Sequence, residues 1–199
     1  MTDGPTLRFA TRADAAGIAA LHAERIAGSF LTTLGPAFLD RLYRRIAVSS
    51  HAFALVADGG EERRRVEGFV AVAESTPALY REFLLHDGLV AGLAATRGIV
   101  REPRAVWETL RYGMGGDGSP ETAEILSTAV AADRSGQGIA TALVREAVDE
   151  LRRRGIAAAH VVTAVGNDAA VRVYERGGFR ADGHREVHHG VAQQLLVWP

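Results

Sequence analysis

The sequence predicts an α/β (α+β) fold in which a mixed central sheet of about seven strands is flanked by helices. Three observations predict it. Short apolar, β-favouring runs alternate with stretches whose apolar residues recur every three or four positions. From Glu121 onward the alternation is regular: strand, glycine turn, helix, strand, helix, then a closing hairpin. The 199 residues are 47% hydrophobic and 24% charged, enough to bury a sizeable core, and contain no internal repeat or low-complexity tract.

Length and composition also exclude several functions. A chain of 199 residues is expected to form one domain. With 23 Lys+Arg against 24 Asp+Glu, the net charge of -1 creates no field for a polyanion, and no nucleic-acid partner is expected. The absence of cysteine excludes a disulfide framework, a thiolate nucleophile and cysteine-based metal sites, and fits a cytoplasmic setting. Met1 to Pro5 lack the basic and apolar regions of a secretion signal. The longest apolar stretches, such as Gly88 to Ala95, fall far short of the roughly 20 residues that span a bilayer, so no membrane partner is expected.

Leu7 to Ala10 read as a short strand, and Thr11 is placed to cap a helix carrying Ile18, Leu21 and Ile26. A second helix is predicted from Pro36, where Phe38, Leu39, Leu42, Tyr43 and Ile46 recur at helical spacing. Ala52 to Ala57 and Val66 to Ala73 form a predicted hairpin around Asp58-Gly59-Gly60. Its charged turn, with Arg63, Arg64 and Arg65 beside Glu61, Glu62 and Glu67, reads as solvated surface. From Pro77 to Gly118 a helical insertion is expected, with one pattern around Leu79, Phe83 and Leu84 and another around Val106, Trp107 and Leu110. It ends in a flexible connector, Gly113 to Gly118.

Ala123 to Ala131 read as a strand, and the turn Arg134-Ser135-Gly136-Gln137-Gly138 opens an amphipathic helix. Ile139, Leu143, Val144, Ala147, Val148 and Leu151 form its apolar face; Arg145, Glu146, Asp149, Glu150, Arg152 and Arg153 are expected to face water. The free backbone N–H groups and positive dipole of its first turn suit a pyrophosphate. Alone, Gly-x-Gly is equally an ordinary tight turn. The dinucleotide fingerprint needs a Gly where Thr141 stands, and the nucleoside-triphosphate loop needs Gly-Lys-Ser/Thr, which is absent. A strand at Ala157 to Val165 follows, then a helix from Asn167 and a hairpin over Phe179 to Trp198.

Ser135-Gly136-Gln137-Gly138-Ile139-Ala140 resembles the acyl-CoA loop of the GNAT superfamily, Gln/Arg-x-x-Gly-x-Gly/Ala, with Ser at its first position and Arg134 one place earlier. Asn167, Ala170, Tyr174, Gly178 and Phe179 are similar to the same family's Asn-x-x-Ala-x-x-x-Tyr-x-x-x-Gly-Phe, 29 residues beyond Gly138. By itself, Tyr174 reads as a core-lining aromatic with its hydroxyl at the rim.

The resemblance implies the GNAT fold, with splayed fourth and fifth strands and acetyl-CoA as co-substrate. It assigns Thr128, Ala129 and Val130 to the pantetheine arm, and Ser135, Gly136, Gln137, Gly138, Ile139, Ala140 and Thr141 to the cofactor loop. Asn167 would bond the CoA arm, and Tyr174 would be the general acid. Glu124 resembles the glutamate base of the superfamily's histone acetyltransferases; it could equally be a strand-end carboxylate in water or beside an Arg. The ribosomal-protein acetyltransferases carry their base where this chain has Val162. Direct attack by an amine needs no enzyme nucleophile, and Ser127 and Thr128 lack a nucleophile elbow. No metal is expected: His184, His188 and His189 lack a complete ligand spacing, and His188-His189-Gly190 could overhang the acceptor pocket. Tyr80, His86, Asp87, Arg97 and Trp107 could shape acceptor choice or simply pack.

The expected reaction is acetyl transfer to the primary amine of a small molecule. Transfer to a protein N-terminus or lysine and a silent acyl-CoA-binding module remain alternatives. Leu195 to Trp198 could pair two copies as a homodimer or belong to the core.

Overall fold

Near-continuous apolar runs mark strands covered on both faces, and the hairpin has two of them. In the computed structural model, which describes residues 5–27, 30–60, 65–94, 123–186 and 192–199, β2 (Ala52–Asp58) and β3 (Val66–Ala73) pair antiparallel near the middle of a seven-stranded sheet. Its order is β1 (Thr6–Phe9), β2, β3, β4 (Ala123–Val130), β5 (Ala159–Ala164), β7 (Ala192–Trp198), β6 (Arg180–Glu186). Every neighbouring pair is antiparallel except β4 and β5. This is the mixed sheet that the sequence predicts. The Arg63-Arg64 part of the hairpin turn, the insertion beyond Ala94 with Arg97, Trp107 and Gly113 to Gly118, and His188-His189 lie outside the described residues.

Alternate residues of β2 feed two cores. Ala52, Ala54 and Val56 pack with Leu39, Tyr43, Phe69 and Leu79 beneath α1 (Ala15–Arg25), α3 (Pro36–Ile46) and α4 (Thr76–Ala94); a short α2 (Phe30–Thr33) precedes α3. Phe53, Leu55 and Ala57 pack on the other face with α5 (Ile139–Arg153) and α6 (Asp168–Arg176). Thr11 caps a single 3-10 turn, Arg12–Asp14, and the Asp14 carboxylate accepts from its backbone N–H before α1 begins. α4 is the described part of the insertion and is held against α3 by Phe38 on Phe83 and by Arg45 bonding Glu82 and Asp87.

Two carboxylates expected in water are buried, which corrects the sequence reading. Glu150 accepts from Arg154, whose guanidinium lies 4.5 Å from the Phe53 ring centroid and also bonds Glu74. Glu67 is 3% exposed because Arg134 reaches it from the far end of β4. The C-terminal run divides as a strand must: Leu196 and Trp198 are core, while Leu195 and Val197 are half-buried on the opposite face. β7 has a partner on each side, so the edges of the described sheet are β1 and β6.

Candidate active site

Where β4 runs into α5, two glycines take the left-handed backbone that only glycine adopts without strain, Gly136 at φ +79° and Gly138 at φ +81°. A side chain at either would meet nothing within 4 Å, so the first turn of α5 opens onto empty space. Its leading N–H groups have no carbonyl within the helix, the first such bond running from Ala142 to Gly138. The loop is tied down from behind. Ala131 N–H donates to the Glu67 carbonyl at 2.8 Å, and Arg134 donates twice to the Glu67 carboxylate at 3.0 and 2.8 Å. Asp133 is bonded by Arg65. Both flanking arginines are thus neutralised, and attraction for an anion falls to the backbone N–H groups and the helix dipole. The Ser135 hydroxyl makes a long bond to the Ala131 carbonyl and its N–H donates to the Ala132 carbonyl; the side-chain tether comes from Arg134, one residue earlier than in the resembled motif.

Beside this cradle the sheet parts. β4 and β5 share register only at Ala123 opposite Ala159 and Glu124 opposite His160, whereas β5 stays paired with β7 through Ala164. The β5-side edge of β4 from Ile125 to Val130 therefore borders a wedge, with the backbone of Thr128, Ala129 and Val130 along it. A bulge sits at the apex: Ala71 pairs Ser127 and Val72 pairs Ile125, so Leu126 is the extra residue. The bulge reassigns faces. Ile125 and Val130 belong to the α5–α6 core, and Leu126 and Ala129 to the α1–α3–α4 core.

On the α5–α6 face, Tyr174 is 7% exposed and packs edge-on against Phe179. Burial raises its phenol above the ordinary value, so it stays protonated at neutral pH; the neighbouring Thr128 hydroxyl opposes part of the rise. Thr128 Oγ1 is buried and makes no regular hydrogen bond of its own. A buried hydroxyl beside a tyrosine, next to unpaired strand backbone and an open glycine cradle, fits the polar, extended arm of an acyl-CoA. Gly177 lets α6 approach this closely, since a Cβ there would stand 2.4 Å from Val144. Asn167 caps α6, its Oδ1 accepting from Ala170 N–H at 3.2 Å, which leaves its exposed amide NH₂ to donate outward.

Glu124 lies across the sheet. It is half-buried, and Thr76 Oγ1 of α4 donates to its carboxylate at 2.7 Å. Tyr80, one turn along α4, feels its charge: burial and then Glu124 raise the Tyr80 hydroxyl above its usual range. Glu124 is thus neither fully exposed nor bonded to an Arg among the described contacts. Ser127 is buried beside the Tyr43 hydroxyl. Asp87 is taken up by Arg45, and the exposed His86 bonds the Glu82 carbonyl of its own helix. The sequence reading missed Thr76 and His160; the polar residue in Ala159-His160-Val161-Val162 was the available signal, but its face depends on register.

A model of the acetyltransferase (GNAT) family matches residues 49–179. No curated protein matches the chain. Solved structures that share its fold include three acetyltransferases. A phosphinothricin acetyltransferase from Sinorhizobium meliloti in complex with acetyl-CoA is 18% identical, with TM-score 0.63, over 100% of this chain and 89% of that one. A variant of the spermidine N-acetyltransferase from Vibrio cholerae is 17% identical, with TM-score 0.57, over 97% and 94%. The ribosomal-protein-alanine N-acetyltransferase from Escherichia coli is 14% identical, with TM-score 0.59, over 98% and 92%.

Proposed function

The chain belongs to the GNAT acetyltransferase family and uses acetyl-CoA; on that premise we propose that it acetylates the primary amine of a small molecule by direct attack, with Tyr174 as general acid and Glu124 as base. The observation that carries this reading is the wedge between β4 and β5, which has Tyr174 and Thr128 on one face of β4 and Glu124 on the other. Donor and acceptor would enter from opposite faces and meet where the strands part.

Acetyl-CoA supplies an activated acyl carbonyl. The N–H groups from Gly136 to Thr141 would hold its pyrophosphate, with Ser135 completing the loop; the β4 edge at Thr128 to Val130 and the Asn167 amide would hold its arm. Tyr174 keeps its proton for the departing sulfur. Proximity and proton management then account for the rate, without an enzyme nucleophile. A small acceptor is favoured because Thr76 and Tyr80 of α4 come up to Glu124 and narrow that side.

The test is calorimetric titration with acetyl-CoA, then release of CoA thiol across spermidine, an aminoglycoside and a peptide with N-terminal alanine. Binding plus turnover on a small amine supports the reading. Turnover on the peptide alone replaces it with a protein acceptor; binding without turnover leaves a silent acyl-CoA module, and no binding removes the donor-site assignment.

A further inference from the structure

We propose that His160 is a second member of the acceptor-side base, taking the proton that the acceptor ammonium must lose and holding it opposite the Glu124 carboxylate. This rests on the reading of Glu124 above and deepens it.

The placement comes from register and face. Glu124 and His160 are directly opposed, the last pair before β4 and β5 part. Neighbouring strands lie about 4.8 Å apart, so side chains opposed on one face are within reach of each other. Ala159 and Val161 are buried in the α5–α6 core, so strand alternation directs His160 to the other face, the one on which Glu124 meets Thr76 of α4. His160 is half-buried at the apex of the wedge. Among the described residues, the titratable and charged groups on its face include Glu124 opposite it on β4 and Arg180, two strands along through Val197; Tyr80 of α4 lies near Glu124.

The chemistry calls for such a pair. An alkylammonium ordinarily titrates at about pH 10 and a lone carboxylate at about 4, a mismatch of some six units. Imidazole titrates at about 6.5 and is a better-matched acceptor, and an adjacent carboxylate favours its charged form. In the step, one N–H bond of the ammonium breaks and an N–H bond forms on His160. The freed lone pair makes the C–N bond as the C–S bond breaks. The second proton leaves the nitrogen as the amide forms and replaces the one Tyr174 gives to sulfur. One proton thus reaches water through His160, and one ends on the CoA thiol.

Two measurements test this. The first is an NMR spectrum of the histidine imidazoles in wild type and Glu124→Gln at one pH near neutrality, with His160→Gln assigning the resonance; it requires no acceptor. The His160 ring resonances should move when the carboxylate is replaced, because the two residues oppose each other across β4 and β5. The second is the pH dependence of kcat/KM for His160→Gln, with His160→Asn as a second variant, using the best acceptor of the panel above. The deficit should be about tenfold or more at about pH 6 and narrow toward about pH 9, where more of the amine is already neutral; acetyl-CoA affinity should not change. A deficit uniform across pH, a profile parallel to wild type, or His160 resonances indifferent to Glu124→Gln overturns the proposal. A wild-type profile for Glu124→Gln, beside an acidic deficit for His160→Gln, strikes the Glu124 reading instead and leaves His160 in place.

Discussion

At the residue scale, the proposed donor site contains two hydroxyls with different consequences. Tyr174 is packed by Phe179 and buried, so Tyr174→Phe keeps the ring and removes only the proton donor. Turnover should fall about 10²- to 10⁴-fold, with acetyl-CoA affinity within about twofold, in paired calorimetry and chemistry-limited kinetics. Full turnover would end its role as acid. Thr128 Oγ1 is a buried oxygen lacking a regular hydrogen bond. An unmet polar group disfavours the folded state by about 1–3 kcal/mol, so Thr128→Val, similar in shape, should leave the melting temperature unchanged or raised. If the hydroxyl serves the bound thioester arm, the same variant should weaken acetyl-CoA binding by about tenfold, the equivalent of a lost hydrogen bond. A variant that melts lower and binds normally would mean that Thr128 is already satisfied within the protein.

At the element scale, α1, α3 and β3 meet at His22, Tyr43 and Phe69. The His22 ring nitrogen lies 2.6 Å from the Tyr43 hydroxyl, and its ring stacks on Phe69. Burial pushes the His22 imidazole from 6.5 down to about 4. The sign follows from linkage: the unfolded chain binds the proton more readily, so stability is complete above pH 6.5 and is lost as pH falls toward 4, by on the order of 2–3 kcal/mol. Asp14, held well below the usual carboxylate range by Arg8, has its effect only at lower pH, losing stabilisation below the ordinary carboxylate range. Thermal melts of wild type and His22→Gln should diverge in slope across that interval, the variant being flatter; parallel slopes would place the acid sensitivity elsewhere. The elements themselves were legible because their signal is periodic: the α3 and α5 stripes, the hairpin and the α6 motif all appear as expected. Periodicity carries no register, and the misreadings follow from that. Glu67 looked like part of a charged turn because its partner, Arg134, is 67 residues away. Glu150 looked exposed because the alternation of α5 does not reveal that Arg154 folds back over Phe53. The bulge at Leu126 and the face of His160 depend on pairing between strands, which no single segment encodes.

At the scale of the whole molecule, one sheet separates the two halves of the proposed site. The α5–α6 face has the open glycine turn and Tyr174; the α1–α3–α4 face has Glu124, and the faces communicate where β4 and β5 diverge. The proposed donor should therefore change the protein asymmetrically. Along the β5-side edge of β4, backbone amides lack ladder partners from Ile125 to Val130, and at the α5 N-terminus the leading amides lack helical ones. Both sets should exchange hydrogen readily in the free protein and slow when acetyl-CoA covers them. α3, on the far face, has its hydrogen bonds within the helix and should be unaffected. Hydrogen exchange followed by mass spectrometry, with and without saturating acetyl-CoA, reads both faces in one experiment. Gly138→Val is the matched control: φ there is +81°, a backbone that a β-branched residue adopts only with strain, so the turn must rearrange. Protection at β4 and α5 should vanish in that variant while α3 exchanges as before. Protection centred on α3 would place the donor on the wrong face of the sheet, and with it the roles given to Tyr174 and Glu124.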